Sequence, residues 1–262
     1  ATFAYDFQED GLFYTILPDG GSVAVTCERI GKPYTDIPSN LVIPEKVFNS
    51  RKRYDVKEID NYAFQSCEVI ESVVIPNTVT KIGETAFMYC KSLKSIEIPN
   101  SVISIGAHAF SCCYGLDYVV LGNGLTDIAD NTFYECSALK QLIIPNSVIS
   151  IGKHAFFSCD SLKTIDIPNT VTTIGDYAFS GCSKLESIYI PYGVSKIGVY
   201  TFENCSSLKY ILLPQSLTSI GHNAFSGCAK LPEIDIPEGI TSIAGGTFEN
   251  CTSLVSITIP NS

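Results

Sequence analysis

Apolar and polar positions recur along most of this chain at one fixed interval of 23 residues. Phenylalanine marks the interval nine times, at Phe64, Phe87, Phe110, Phe133, Phe156, Phe179, Phe202, Phe225 and Phe248. A cysteine follows each of them three positions later, from Cys67 to Cys251. A period of this length predicts a solenoid, because one such coil buries its apolar side only by stacking on the next coil.

Each coil contains a short segment that alternates apolar and polar residues. In Ser95-Ile96-Glu97-Ile98 the isoleucines occupy every second position, which predicts a strand with both side chains facing inward. Strands from successive coils run in the same direction, so they form a parallel sheet, and Pro99 ends the strand. We expect residues 171–175 to cross the opposite side and residues 176–182 to turn back through a single helical turn.

The N-terminal part departs from this period. Residues 13–17 and 23–27 read as two strands joined by the turn Pro18-Asp19-Gly20-Gly21, and residues 47–54 as a further hairpin. We therefore divide one domain, residues 1–262, into a β-rich cap with an irregular first coil, 1–63, and nine regular repeats, 64–262. The sequence given stops at 260–262 without a polar cap, so we expect either that the native chain continues or that this edge docks on something.

The repeat has the form Leu-x-x-Ile-x-Ile-Pro-x-x-Val-x-x-Ile-Gly-x-x-Ala-Phe-x-x-Cys. It resembles the BspA-like class of bacterial leucine-rich repeats across residues 64–262. The resemblance implies a right-handed, β-rich leucine-rich-repeat solenoid with a parallel sheet, short helical turns and an N-terminal β-hairpin cap. Some coils depart from the pattern, and we expect these changes to be conservative for packing: Gly122 for Pro, Ala129 and Ala244 for Gly, and Thr132, Thr201 and Thr247 for Ala.

Composition narrows the possible partners. The net charge of −10 argues against nucleic acid and against docking on an anionic membrane surface, since both require clustered Lys and Arg. No run of 18 apolar residues is present, so we expect no membrane insertion in this segment. The cysteine column favours small buried thiols over disulfides or metal ligands, and Cys27 and Cys112 lie outside the column.

Catalytic chemistry needs unlike groups that converge, and the repeat pattern does not bring such groups together. His108 and His154 share an outward position but lie two coils apart, roughly 10 Å at strand spacing, which is too far for one metal ion. We therefore expect no catalytic site, no metal and no cofactor.

The position that varies most is the outward face of the predicted main sheet. Aromatic and aliphatic residues there are expected to form two clusters, Tyr118, Val120 and Ile143, and then Tyr189, Tyr210 and Leu212. These six residues are the candidate ligand face. The other interpretation is that β-branched and aromatic residues simply cover their neighbours in a sheet.

The family resemblance implies a bacterial surface protein that recognises host matrix glycoproteins or proteins of other cells. We therefore predict a non-catalytic, extracellular, cell-surface adhesion module that binds a protein ligand through the outward sheet face. A structural spacer or scaffold of a larger surface protein is an alternative. A carbohydrate-binding module is another, and the absence of Trp counts against it. A signal peptide and an anchor are not recognisable in this chain.

Overall fold

The computed structural model describes residues 5–259, and the predictions made for residues 1–4 and 260–262 lie outside them. Strands are numbered in chain order. The cap contains β1 (Phe7–Glu9), β2 (Leu12–Ile16), β3 (Ser22–Thr26), β5 (Lys46–Asn49) and β6 (Lys52–Ile59). The main sheet contains β4 (Asn40–Val42), β7 (Ser72–Val74), β9 (Ser95–Glu97), β11 (Tyr118–Val120), β13 (Gln141–Ile143), β15 (Thr164–Ile165), β17 (Ser187–Tyr189), β19 (Tyr210–Leu212), β21 (Glu233–Asp235) and β22 (Ser256–Thr258). The second side contains β8 (Lys81–Ile82), β10 (Ser104–Ile105), β12 (Asp127–Ile128), β14 (Ser150–Ile151), β16 (Thr173–Ile174), β18 (Lys196–Ile197) and β20 (Ser219–Ile220).

Equivalent residues of successive coils are direct neighbours in space. The repeated phenylalanine rings stack face to face from Phe64 to Phe248, with neighbouring ring centroids 5.1–5.7 Å apart. The main-sheet strands pair in parallel without a shift, as in Val119 opposite Ile96 and Leu142. A single apolar core runs from Leu12 to Ile240. The solenoid of 23-residue repeats is therefore confirmed.

The cysteine column consists of free thiols that act as hydrogen-bond donors. Cys136 Sγ donates to the carbonyl oxygen of Phe110 in the preceding coil at 3.2 Å, and Cys113, Cys159, Cys182 and Cys205 repeat this bond at 3.1–3.3 Å. Burial in the apolar core raises the pKa of these thiols, that of Cys182 to about 12, so they stay protonated and unreactive at neutral pH. The prediction of buried free cysteines is confirmed from Cys67 to Cys228, whereas Cys251 is free but only partly buried, and Cys27 and Cys112 are also free and buried.

The expected helical turn is wrong, because no helix forms within residues 5–259. Residues 176–182 and their equivalents form the third side of each coil, where backbone N–H groups point alternately within the coil and toward the next coil. Ser180 N donates to Tyr177 O at 3.1 Å, whereas Phe179 N donates across to Thr201 O at 3.0 Å. The alternation requires positive φ at two positions per coil, as at Tyr177 (59°) and Gly181 (76°), which is incompatible with a right-handed helical turn.

The cap has the predicted hairpins and joins the solenoid through its second side. Strands β2 and β3 pair antiparallel, as do β5 and β6, and β6 then pairs in parallel with β8. Tyr34 takes the place of a column phenylalanine: its ring stacks on Phe64 at 5.3 Å, and its carbonyl accepts the thiol of Cys67 at 3.4 Å. The apolar column therefore continues into the cap.

Three interruptions divide the second side. Its parallel pairing runs through β6, β8 and β10, then through β12, β14 and β16, then through β18 and β20, and the following coil has no strand there. Each interruption precedes a coil in which threonine replaces the buried alanine, at Thr132, Thr201 and Thr247. The extra side-chain atoms of threonine at this buried position coincide with the loss of strand pairing on the second side. The expectation that these substitutions are conservative for packing stays a prediction.

Candidate binding face

The alternation of each main-sheet strand places two side chains per coil on its outward face. In the three-residue strands before β22 the middle residue is buried, as with Val119, Leu142 and Ile211, while the residues on either side of it point away from the core. Because the register between coils is constant, the outward residues form two straight columns along the solenoid. Together these two columns form the outer face of the solenoid.

The first predicted cluster lies on β11 and β13. Val120 pairs directly with Ile143, and Tyr118 pairs with Gln141 on the same two strands. Tyr118 and Val120 are half-buried, whereas 45% of Ile143 is exposed. The structure therefore brings all three predicted residues together.

The second predicted cluster lies on β17 and β19. Tyr189 pairs directly with Leu212, and the relative exposures of Tyr189, Tyr210 and Leu212 are 46%, 58% and 45%. Strand β15, with Thr164 outward, separates this cluster from the first one. The six predicted residues thus occupy two patches of one surface.

Two residues of the same surface were missing from the predicted set. Val42 on β4 pairs with Val74 on β7, and both are among the most exposed apolar side chains of the outer face. A signal was available, because Leu41-Val42-Ile43-Pro44 matches the end of a repeat strand. The apolar surface therefore extends into the first, irregular coil.

Shallow grooves follow the outer face. One, of about 690 Å³, is lined by residues that include Val74, Glu97, Val120 and Ile143. Another, of about 370 Å³, lies over Asp166, Tyr189 and Tyr210. The face can therefore accommodate an elongated ligand on an open surface.

Ion pairs border the outer face at the start of its strands. Lys140 contacts Asp117 at 3.3 Å, and Lys209 contacts Glu186 at 2.8 Å, each pair joining adjacent coils. The neighbouring Lys209 ammonium lowers the pKa of the Glu186 carboxyl. These charges neutralise one another along the border of the face.

Within residues 5–259 no group of three or more His, Cys, Asp or Glu side chains is placed to hold a metal ion. His154 stacks on the ring of Tyr177 at 4.6 Å, and burial lowers the pKa of its imidazole. The described part of the chain also has no helix with the length and apolar character needed to cross a membrane.

Several solved bacterial structures are similar to this chain. A leucine-rich repeat protein of T. pallidum, TpLRR, is 28% identical, with a TM-score of 0.61 over 87% of this chain and 91% of that one. A leucine-rich cell surface protein of Faecalibacterium prausnitzii A2-165 is 26% identical, with a TM-score of 0.56 over 98% of this chain and 95% of that one. The pneumococcal vaccine antigen PcpA, 19% identical with a TM-score of 0.52 over 96% and 86% of the two chains, shares the fold.

No curated protein sequence matches this chain. The sequence model of the BspA type leucine-rich repeat region does match it, in 6 copies that extend over residues 57–186 and 172–262. The matched segments include every regular coil and both clusters of the outer face. The chain therefore belongs to the BspA-type leucine-rich repeat family.

Proposed function

We propose that this protein is a non-catalytic adhesion module that binds a protein ligand through the outer face. The observation that carries the proposal is the exposure of large apolar side chains on one face, at Ile143 and, two coils further on, at Tyr189, Tyr210 and Leu212. Clustered exposed aromatic and aliphatic residues are typical of protein-binding surfaces. The scaffold holds them in place before binding, so little conformational entropy is lost on docking.

An extracellular, cell-surface location fits the family and the chemistry of the cysteine column. The Faecalibacterium prausnitzii relative is described as a cell surface protein. Outside the cell, free cysteines are exposed to oxidation, which requires the thiolate form. Burial raises the pKa of Cys136, Cys159 and Cys205, and this protects them in an oxidising environment.

The proposal is tested by removing apolar surface from the outer face. The double variant Tyr210→Ser/Leu212→Ser should reduce adhesion of protein-coated beads to immobilised matrix glycoproteins or to partner cells by about tenfold or more. Both residues are exposed, so the fold should persist, and circular dichroism checks this.

A matched control removes similar apolar area from the second side. Ile103 and Ile149 are 63% and 50% exposed, and Ile103→Ser/Ile149→Ser should leave adhesion unchanged. Equal adhesion of wild-type protein and the Tyr210→Ser/Leu212→Ser variant would contradict the proposal and favour a spacer. Selective capture of oligosaccharides on a glycan array would favour a carbohydrate-binding module.

A further inference from the structure

The outer face has a second, longer period that spans three coils. In the column that contains Leu212, an acidic residue is followed by two apolar residues, and the order then repeats. The column reads Val42, Val74, Glu97, Val120, Ile143, Asp166, Tyr189, Leu212, Asp235 and Thr258. At the usual strand spacing, successive carboxylates are about 14 Å apart.

These three carboxylates are not neutralised by the protein. Among residues 5–259 the ion pairs involve other acidic side chains, and none includes Glu97, Asp166 or Asp235. The outward positions of the main-sheet strands contain no Lys, Arg or His, and Glu233 adds a fourth carboxylate beside Asp235. The face is therefore negative as well as apolar, in contrast to the paired charges at its border.

The backbone of the main sheet has the same three-coil interval. The strand pairing breaks between β13 and β15 and again between β19 and β21. Asp166 directly follows β15, and Asp235 is the last residue of β21. Between β7 and β9 the pairing stops one residue short of Glu97. Asp166 and Asp235 therefore stand where a separately paired part of the sheet begins, whereas Glu97 lies within the five-stranded part formed by β4, β7, β9, β11 and β13.

We propose that the occupant of the outer face is an extended, cationic segment of a partner protein that lies along the solenoid axis. An extended chain rises about 3.3 Å per residue, so residues four apart are about 13 Å apart and point the same way. Lys or Arg at every fourth residue therefore meets Glu97, Asp166 and Asp235 in turn. An apolar side chain midway between them packs on the pairs Val120–Ile143 and Tyr189–Leu212.

This inference rests on the proposed function, since it names the chemistry of the ligand for the same face. A cationic polysaccharide would satisfy the carboxylates, but it offers no apolar side chains for the two residues between them. The apolar pairs therefore favour a polypeptide over an amino sugar polymer.

The test uses a nine-residue peptide with Arg at positions one, five and nine, Leu at three and seven, and Ser elsewhere. Its affinity for the full chain is measured by fluorescence anisotropy at low and moderate salt. The variant Glu97→Gln/Asp166→Asn/Asp235→Asn should bind it about tenfold more weakly, since each exposed charge pair contributes modestly. Affinity for wild-type protein should fall as salt rises.

Two controls separate the spacing of charges from net charge. Glu84→Gln/Asp127→Asn/Glu249→Gln removes the same number of exposed carboxylates elsewhere and should bind like wild-type protein. A peptide of identical composition with its three Arg adjacent should bind wild-type protein several-fold more weakly.

The inference is overturned if the peptide does not bind, if both triple variants weaken binding equally, or if both peptides bind alike. It is also overturned if a glucosamine oligomer binds the face and the peptide does not. In each case, loss of adhesion in Tyr210→Ser/Leu212→Ser would still support the proposed function. Unchanged adhesion in that variant would remove both proposals.

Discussion

The threonines that replace the buried alanine differ in their hydrogen bonds. Thr132 Oγ1 donates to the carbonyl oxygen of Ala129 at 2.8 Å, and Thr247 Oγ1 donates to that of Ala244 at 2.7 Å. Thr201 is fully buried, and its hydroxyl has no partner in the described part of the chain. Gly198 stands where the other two coils have alanine. We therefore expect the same substitution to stabilise two coils and to destabilise the third.

We expect Thr201→Ala to raise the free energy of unfolding by about 1 kcal/mol. Leaving a buried hydroxyl unpaired costs roughly 1–3 kcal/mol, which outweighs the loss of about one buried methyl group. Thr132→Ala should instead lower the free energy of unfolding by about 1–2 kcal/mol, because it removes a satisfied hydrogen bond and leaves a small cavity. Urea titration measures both variants, and equal destabilisation would contradict the interpretation of Thr201.

At the scale of elements, the strands were predictable and the third side was not. Alternation in Ser95-Ile96-Glu97-Ile98 reflects burial on one face of a sheet, so the sequence reports it directly. On the third side, the sequence indicates a positive φ only where Asn or Gly occupies the position, as at Asn131 and Gly181. Tyr177 and Tyr200 adopt the same backbone without any such signal, so the turns resembled a helical segment.

The role of Tyr34 could not be inferred from spacing. A column cysteine bonds to the carbonyl 26 residues earlier in the regular coils, whereas Cys67 bonds to Tyr34, 33 residues earlier. The cap hairpin lengthens the intervening chain, and tyrosine replaces phenylalanine. Only the structure shows that the aromatic column continues into the cap.

Tyr34 should be the residue on which docking of the cap depends most. Its ring stacks between Phe13 and Phe64, its hydroxyl donates to Thr26 O at 2.5 Å, and it accepts from Phe13 N at 3.0 Å. Tyr34→Ala should cost about 4 kcal/mol through the cavity, and Tyr34→Phe about 1–2 kcal/mol through the lost hydrogen bonds.

Because coils of a solenoid contact only their neighbours, this loss should appear first in the cap. Hydrogen exchange of β2 and β3 should accelerate in Tyr34→Ala, while that of β14 and β16 should stay unchanged. Uniform acceleration along the chain would mean that the cap and the central coils unfold as one unit.

At the scale of the whole molecule, one repeated core supports a surface that is not uniformly repeated. The core residues could be predicted because every coil needs the same ones, as with Phe133 and Cys136. The six predicted residues of the outer face followed from the same alternation. The period of Glu97, Asp166 and Asp235 is present in the sequence interval, and the structure adds that neighbouring members of the column pair directly, as Glu97 does with Val120.

The buried thiols should make stability fall at alkaline pH. Burial raises the pKa of Cys67 to about 11 and that of Cys182 to about 12, against 9.0 for an exposed thiol. The folded chain therefore retains protons that the unfolded chain releases above pH 9. The free energy of unfolding should be flat with respect to these thiols below pH 8 and should decrease above pH 9.

Each thiol that stays protonated only in the folded state contributes a slope of about 1.4 kcal/mol per pH unit. Cys67 stops contributing near pH 11 and Cys182 near pH 12. The contributions of the individual thiols add along the column. The free energy of unfolding should therefore fall steeply as the pH rises from about 9 to about 11. Urea titrations at pH 7–10, with a reductant present, measure the slope. Cys182→Ala should reduce that slope by one thiol, whereas an unchanged slope would mean that this thiol ionises as readily in the folded coil as in the unfolded chain.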